Sequence, residues 1–277
     1  EEAASVIRAL RGNVGRYVVA STVSVYGEGG HAVGRHTINR PLSDEQRFAV
    51  DYRPLEPVRE SDLDNRHHPW EYRPHLAGYA EGKRHLERVM LESPEDWPWI
   101  VVRVPATLGP HDPSGRFAFW LSRILDGGPL LLPDGGTHAL QVGYSNDLSH
   151  FLVDLIGGAG KTRSIYNYAQ RETTSLRHFL QVMADAAERP LQVSAVPSDV
   201  LQTHTDLPWQ EWSYAPFSYC PILMSLSKTE VEVGLSFRKS LREWVGVTVD
   251  CYREHPQGLD DADHTEVRPK EIAFASR

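Results

Sequence analysis

Apolar positions recur along the chain in two rhythms. In EEAASVIRALRG, Ala3, Val6, Ile7 and Leu10 fall at helical spacing, and Gly12 supplies a stop. Tyr17 to Ser21 is short, apolar and bounded by polar residues, which predicts a buried strand. Residues 28 to 75 have no clear period and are rich in Gly, Pro, Arg and His, with a short helix expected near Leu63. Helical spacing returns from Ala77 to Met90 and ends at Ser93-Pro94. PWIVVRV, residues 98 to 104, predicts a second buried strand.

The alternation continues. Arg116 to Leu125 predicts a helix with Phe117, Trp120, Leu121 and Ile124 on one face, stopped at Gly127-Gly128. Short strands are expected at 130–132, 139–142, 164–168 and 192–196. Helices are expected from Ser145 as N-cap to Ile156, over 173–188, near 228–233 and over 240–252. The polar stretch after His255 is expected to fray. Helices alternating with short apolar strands predict an α/β fold with a mainly parallel sheet.

Composition narrows the class. Across 277 residues, 40% apolar and 24% charged content is that of a globular protein. No apolar run approaches the roughly 18–20 residues of a membrane-spanning helix, so no membrane role is expected. Cys220 and Cys251 form neither a redox motif nor a zinc site, which fits a reducing compartment, and a cytoplasmic protein is expected. The net charge of −8 repels phosphate backbones, which makes nucleic acid an unfavoured partner. The chain opens at Glu1 within a helical pattern, which suggests a fragment of a longer sequence.

Three segments carry candidate chemistry. Val18 to Gly27 runs from a buried strand into a hydroxyl-rich turn. Tyr79 and Lys83 lie four apart on a predicted helix and so share a face. The strand ending at Val104 continues into Pro105, Ala106, Thr107, Leu108, Gly109 and Pro110. An ammonium near a phenol favours the phenolate, so such a tyrosine can exchange a proton with a substrate oxygen. A hydroxyl at a neighbouring strand end can hold that oxygen, and ligands collect at the carboxyl ends of parallel strands. Tyr-x-x-x-Lys alone is more often a surface pair; it is the three segments in this order that point to chemistry.

These segments resemble the extended short-chain dehydrogenases/reductases, the NAD-dependent epimerase/dehydratase family, from about residue 1 to 254. Ser21-Thr22-Val23-Ser24-Val25-Tyr26-Gly27 is similar to the family's strand end, Tyr79 and Lys83 fall on its Tyr-x-x-x-Lys, and Arg103 to Gly109-Pro110 keeps its next strand end, with Val104 at the family's first Pro. Asn146-Asp147-Leu148 and Ser227-Lys228 resemble later elements. The resemblance implies a Rossmann-like domain over 1–110 with 28–75 inserted as a cap, a mainly substrate-binding lobe over 111–254 with returning core elements, and a tail over 255–277. It implies NAD or NADP as cofactor and a homodimer in which residues 1–11 and 77–92 meet their copies.

By resemblance Tyr79 is the acid/base, Lys83 holds the nicotinamide ribose and Thr22 orients the substrate oxygen. Ala20, Ser21, Pro105, Ala106 and Thr107 would border the cofactor, and Ser24, His111, Arg116 and Gln141 are candidates for the small-molecule substrate. The implied activity is that of an NAD(P)-dependent oxidoreductase or epimerase on a small hydroxyl or carbonyl metabolite or a sugar derivative. The alternative is a non-redox, RNA-associated binding protein of the same fold. The family's Gly-rich phosphate loop has no counterpart in the sequence, since Gly12-Asn13-Val14-Gly15 precedes a strand. Weak cofactor binding by these residues alone is therefore expected. Val104-Pro105-Ala106 stands where nucleotide-sugar members carry Asn, which weakens that substrate reading. His67-His68 and His75 fit no metal spacing, and Trp209 and Trp212 are expected in a core.

Overall fold

The computed structural model describes residues 2–26, 57–63, 65, 79–204, 207–208, 217, 222–259 and 262–276. Most of the 28–75 insertion lies outside the described residues, as do His67, His68, His75, Trp209, Trp212 and Cys220. In chain order the main elements are α1 (Glu2–Leu10), β1 (Tyr17–Thr22), α2 (Tyr79–Leu91), β2 (Trp99–Val104), α3 (Arg116–Leu125) and β3 (Leu130–Pro133). Then come α4 (Ser145–Ile156), β4 (Ser164–Asn167), α5 (Leu176–Ala187), β5 (Val193–Val196), α6 (Ser227–Glu232), α7 (Leu241–Glu254) and α8 (Ala262–Ala275). The chain divides into two compact units.

The first unit holds residues 1–107, 141–171 and 222–237. Its sheet runs β1-β2-β4, all parallel, with Tyr17 opposite Trp99, Thr22 opposite Val104 and Arg103 opposite Asn167. β2 is buried from Trp99 to Arg103 because helices cover both faces of this central strand. Its alternating side chains separate two cores. Trp99 and Val101 pack with Ile7 of α1, Met90 of α2 and Trp97. Ile100 and Val102 pack with Phe151 and Leu155 of α4, Tyr166 and Tyr168. The apolar face of α1, expected at a dimer interface, thus packs through Ile7 on the chain's own sheet. The Arg16 guanidinium donates to the carbonyls of Leu155, Gly158, Ala159 and Gly160, tying the start of β1 to the end of α4.

Segment 222–237 returns to this unit. Val58 N–H donates to Leu223 O at 2.7 Å and Ser225 N–H donates to Val58 O at 2.8 Å. On α6, Lys228 Nζ donates to Ile165 O at 2.7 Å and Thr229 Oγ1 donates to Asn167 O at 2.7 Å.

The second unit holds residues 108–140, 172–221 and 238–277. β3 pairs parallel with β5, and Ala139–Leu140 pairs antiparallel with Thr174–Ser175. Its helices pack through aromatics: Phe117 of α3 stacks on Tyr252 of α7 at 5.8 Å and meets Phe179 of α5 edge-on at 6.3 Å. Ser240 and Glu243 form a capping box that starts α7.

The tail expected to fray forms helix α8 from Ala262. Its anchoring face is charged, which a hydrophobic period does not register. Arg123 Nε donates to Glu271 Oε2 at 3.0 Å and Arg268 Nε to Asp126 Oδ2 at 2.8 Å, with Arg123, Arg268 and Glu271 all buried.

Candidate active site

β1 ends at Thr22 and the chain turns at once into a short 3-10 helix, Val23–Tyr26. The Thr22 hydroxyl opens that turn by accepting from Ser24 N–H at 3.2 Å. Arg84 Nε of α2 donates to Val25 O at 2.8 Å and holds the turn from the other side. Thr22 and Ser21 are buried, Ser24 is half-buried and Ala20 is exposed.

α2 begins at Tyr79, whose ring is 59% exposed. One turn later Lys83 lies with Nζ 5.9 Å from the centre of the Tyr79 ring. The same Nζ donates to Ala20 O at 2.9 Å. A helix-borne ammonium, with a phenol one turn before it, therefore sits on β1 two residues from Thr22. Thr22 faces Val104 in register, so the turn Pro105-Ala106-Thr107 leaves the sheet at the same carboxyl end. That turn is braced: Gly143 N–H donates to Ala106 O at 2.9 Å, and a Cβ on Gly143 would come within 3.1 Å of Thr107 Oγ1.

Other predicted residues have separate partners. Ser21 turns its hydroxyl into the core, donating to Glu87 Oε1 at 2.5 Å. Gln141 accepts from Met224 N–H at 2.8 Å through Oε1 and so anchors the returning segment. His111 and Arg116 belong to the second unit. His111 approaches Cys251 Sγ at 3.8 Å, and Arg116 Nε donates to Ser114 Oγ at 2.7 Å. A cavity of about 760 Å³ in the first unit is lined by Leu63, Leu91, Trp99, Arg163, Ser164 and Lys228 among others, and no predicted site residue borders it.

Beneath the site runs a buried polar network that the sequence reading missed. Glu87 and Arg103 are both 0% exposed. Arg103 donates from Nε to Glu87 Oε1 at 3.1 Å and from NH2 to Oε2 at 2.7 Å. Asn65 Nδ2 adds a bond to Glu87 Oε2 at 2.6 Å. On its other side Arg103 NH1 donates to the Tyr26 hydroxyl at 2.8 Å, which donates to Asn167 Oδ1 at 2.8 Å. Burial pushes the Tyr26 phenol up to about 12 against the opposing charge of Arg103. Burial would lower the Arg103 guanidinium, but Glu87 and Tyr26 hold it above its ordinary value. Two signals pointed here: a lone charge in the apolar run PWIVVRV, and a glutamate four residues after Lys83.

Comparison with known proteins follows the same elements. The model of the NAD dependent epimerase/dehydratase family matches residues 2–169. The fold is similar to WbmH of Bordetella bronchiseptica, solved with NAD+, at 18% identity and a TM-score of 0.59, covering 91% of this chain and 67% of that one. It is similar to RMD of Pseudomonas aeruginosa, solved with NADPH, at 16% identity and a TM-score of 0.61, covering 91% and 72%. It is also similar to the UDP-glucose 4-epimerase of Thermus thermophilus, solved with NAD, at 20% identity and a TM-score of 0.56, covering 91% and 68%. The chain thus spans about two thirds of the length of these structures. No curated protein matches the chain.

Proposed function

The chain belongs to the NAD dependent epimerase/dehydratase family, and from that premise we propose that it acts as an NAD(P)-dependent oxidoreductase or epimerase on a small hydroxyl or carbonyl metabolite or a sugar derivative. The observation that carries this reading is the Lys83 ammonium on the Ala20 carbonyl, one helical turn after an exposed Tyr79.

The residues suit a nicotinamide nucleotide by their chemistry. Lys83 has three donors, of which the Ala20 carbonyl takes one, and the others suit ribose hydroxyls. Exposed Ala20 and the Pro105-Ala106-Thr107 turn would border the nicotinamide. When bound, that group takes or returns a hydride. Tyr79 gives or takes the proton at the substrate oxygen. Thr22 orients that oxygen by its hydroxyl. WbmH and RMD were solved with NAD+ and NADPH, which supports a dinucleotide as the partner. No Gly-x-x-Gly-x-x-Gly run occurs in the sequence, so the groups named here serve the nicotinamide half.

The second unit is read as the substrate-binding lobe, with His111 and Arg116 as its candidate contacts, and Ser24 and Gln141 as those of the first. The homodimer through α1 and α2 belongs to the same reading; Leu10, 39% exposed, is an outer apolar residue open to it.

The test is turnover of NAD+ or NADP+ with a panel of hydroxy acids, alcohols and sugar nucleotides, followed by near-ultraviolet absorbance of the reduced nicotinamide. Tyr79→Phe should lower turnover about 10²–10⁴-fold. Equal turnover by the variant would overturn the assignment.

A further inference from the structure

We propose that Glu87 and Arg103 are positioning residues: their buried ion pair fixes the helix that carries Tyr79 and Lys83 against the strand end that carries Thr22. This rests on the functional reading above and assigns two residues that never touch the reacting atoms.

Stability alone does not account for the pair. Both side chains are 0% exposed. Withdrawing two charges from water consumes most of what their attraction returns, and apolar residues of similar volume often serve as well or better. What an apolar contact lacks is direction: it constrains by shape alone, whereas hydrogen bonds to a carboxylate also fix angle and partner. A saturated ion pair has one arrangement.

The placement of the pair matches that role. Glu87 lies one helical turn after Lys83 and two after Tyr79 on α2. Its two oxygens accept from Ser21 Oγ at 2.5 Å, Asn65 Nδ2 at 2.6 Å and Arg103 Nε and NH2 at 3.1 and 2.7 Å. Ser21 directly precedes Thr22 and sits opposite Arg103 in register. A slip of α2 by one turn, about 5.4 Å, would break the Glu87–Ser21 and Lys83–Ala20 bonds together. Arg103 extends the hold to the turn after β1. It donates to the Tyr26 hydroxyl at 2.8 Å, and its guanidinium lies 4.7 Å from the centre of that ring. The carbonyls of Glu60 and Leu63 take further Arg103 donors at 3.2 and 3.4 Å.

The experiment reads the geometry without cofactor. The hydrogen-exchange rate of the Lys83 ammonium is measured by nitrogen NMR at low temperature in the 277-residue chain, in the apolar double variant Glu87→Leu/Arg103→Met and in Glu87→Gln. Thermal midpoints are recorded alongside. We expect the buried groups left unpaired at Ser21 and Asn65 to lower the midpoint of the double variant, and Lys83 exchange, read well below that midpoint, to quicken at least ~10-fold. A purely structural role gives the opposite result: well below that midpoint, where the variant is folded, Lys83 exchanges at the parent rate, and that would overturn the proposal. If the double variant does not fold, Glu87→Gln decides. It keeps the shape and removes the charge, and exchange equal to the parent would again overturn the proposal. Nicotinamide mononucleotide is then titrated into the same samples. If Lys83 exchange responds as expected but Lys83→Ala leaves mononucleotide binding unchanged, the functional reading fails and the positioning inference stands.

Discussion

Lys83 Nζ lies 2.9 Å from the carbonyl oxygen of Ala20, so the helix that begins at Tyr79 is hydrogen-bonded to the strand that ends at Thr22. The bond lies at the surface. It adds little to a core, yet it places an ammonium and, one turn before it, a phenol beside the carboxyl end of a parallel sheet.

From this follows an expectation about stability. Tyr79 is 59% exposed and Lys83 half-buried. Tyr79→Phe and Lys83→Met should each change unfolding free energy in urea by no more than about 0.5 kcal/mol. A loss of several kcal/mol would mean that these side chains hold the fold.

Gly160 has φ +67°, and a Cβ there would meet Val233 Cγ2 at 3.0 Å and the Tyr166 hydroxyl at 3.1 Å. Gly160→Ala should destabilise by about 2–3 kcal/mol, from left-handed strain and overpacking together. Gly12 has φ +81° with open space around it, so Gly12→Ala should cost only about 1 kcal/mol. Denaturant midpoints of the two variants check the order.

In the second unit, Glu271 stands between Arg123 and Arg268, and all three are buried. Glu271→Ala leaves both arginines without that carboxylate and should cost about 3–5 kcal/mol. It should also free α8 to limited proteolysis ahead of global unfolding. Resistance equal to the parent would show that α8 is held by other contacts.

Alkaline pH should destabilise the protein, with Tyr26 contributing beside Tyr168 and Tyr252, whose phenols burial also raises. Burial raises the Tyr26 phenol to about 12, with Arg103 opposing, so the folded chain keeps a proton that the unfolded chain releases near pH 10. The stability this contributes, about 3 kcal/mol, is fully present below pH 10 and is lost as pH climbs toward about 12. Tyr26→Phe loses hydrogen bonds at every pH, but its stability should fall less steeply between pH 10 and 12. Parallel slopes for the two proteins would contradict this.

Much of the fold was legible because apolar rhythm reports burial. Tyr17–Ser21 and Ile100–Val104 pair in parallel as expected, and α2 packs beside them through Met90. Tyr79, Lys83 and Thr22 could be singled out as candidates because the three segments, in that order, resemble the family's motifs. Glu87 and Asn167 could not, since their meaning lies in partners far off in sequence: Ser21 is 66 residues from Glu87, and Tyr26 is 141 from Asn167. α8 was hidden for the same reason, its anchors being Arg268 and Glu271 instead of an apolar stripe.

The central claim is that β1's end, α2 and the Pro105 turn form one nicotinamide-ribose site. The direct measurement is an NMR titration of the chain with nicotinamide mononucleotide and, separately, with adenosine monophosphate. We expect nicotinamide mononucleotide to bind with a dissociation constant of order millimolar, about −4 kcal/mol, and to shift the signals of Ala20, Thr22, Tyr79, Lys83 and Ala106. Lys83→Ala should weaken that binding about tenfold, and adenosine monophosphate should leave those signals unmoved. Shifts confined to other residues, or equal binding by Lys83→Ala, would contradict the claim.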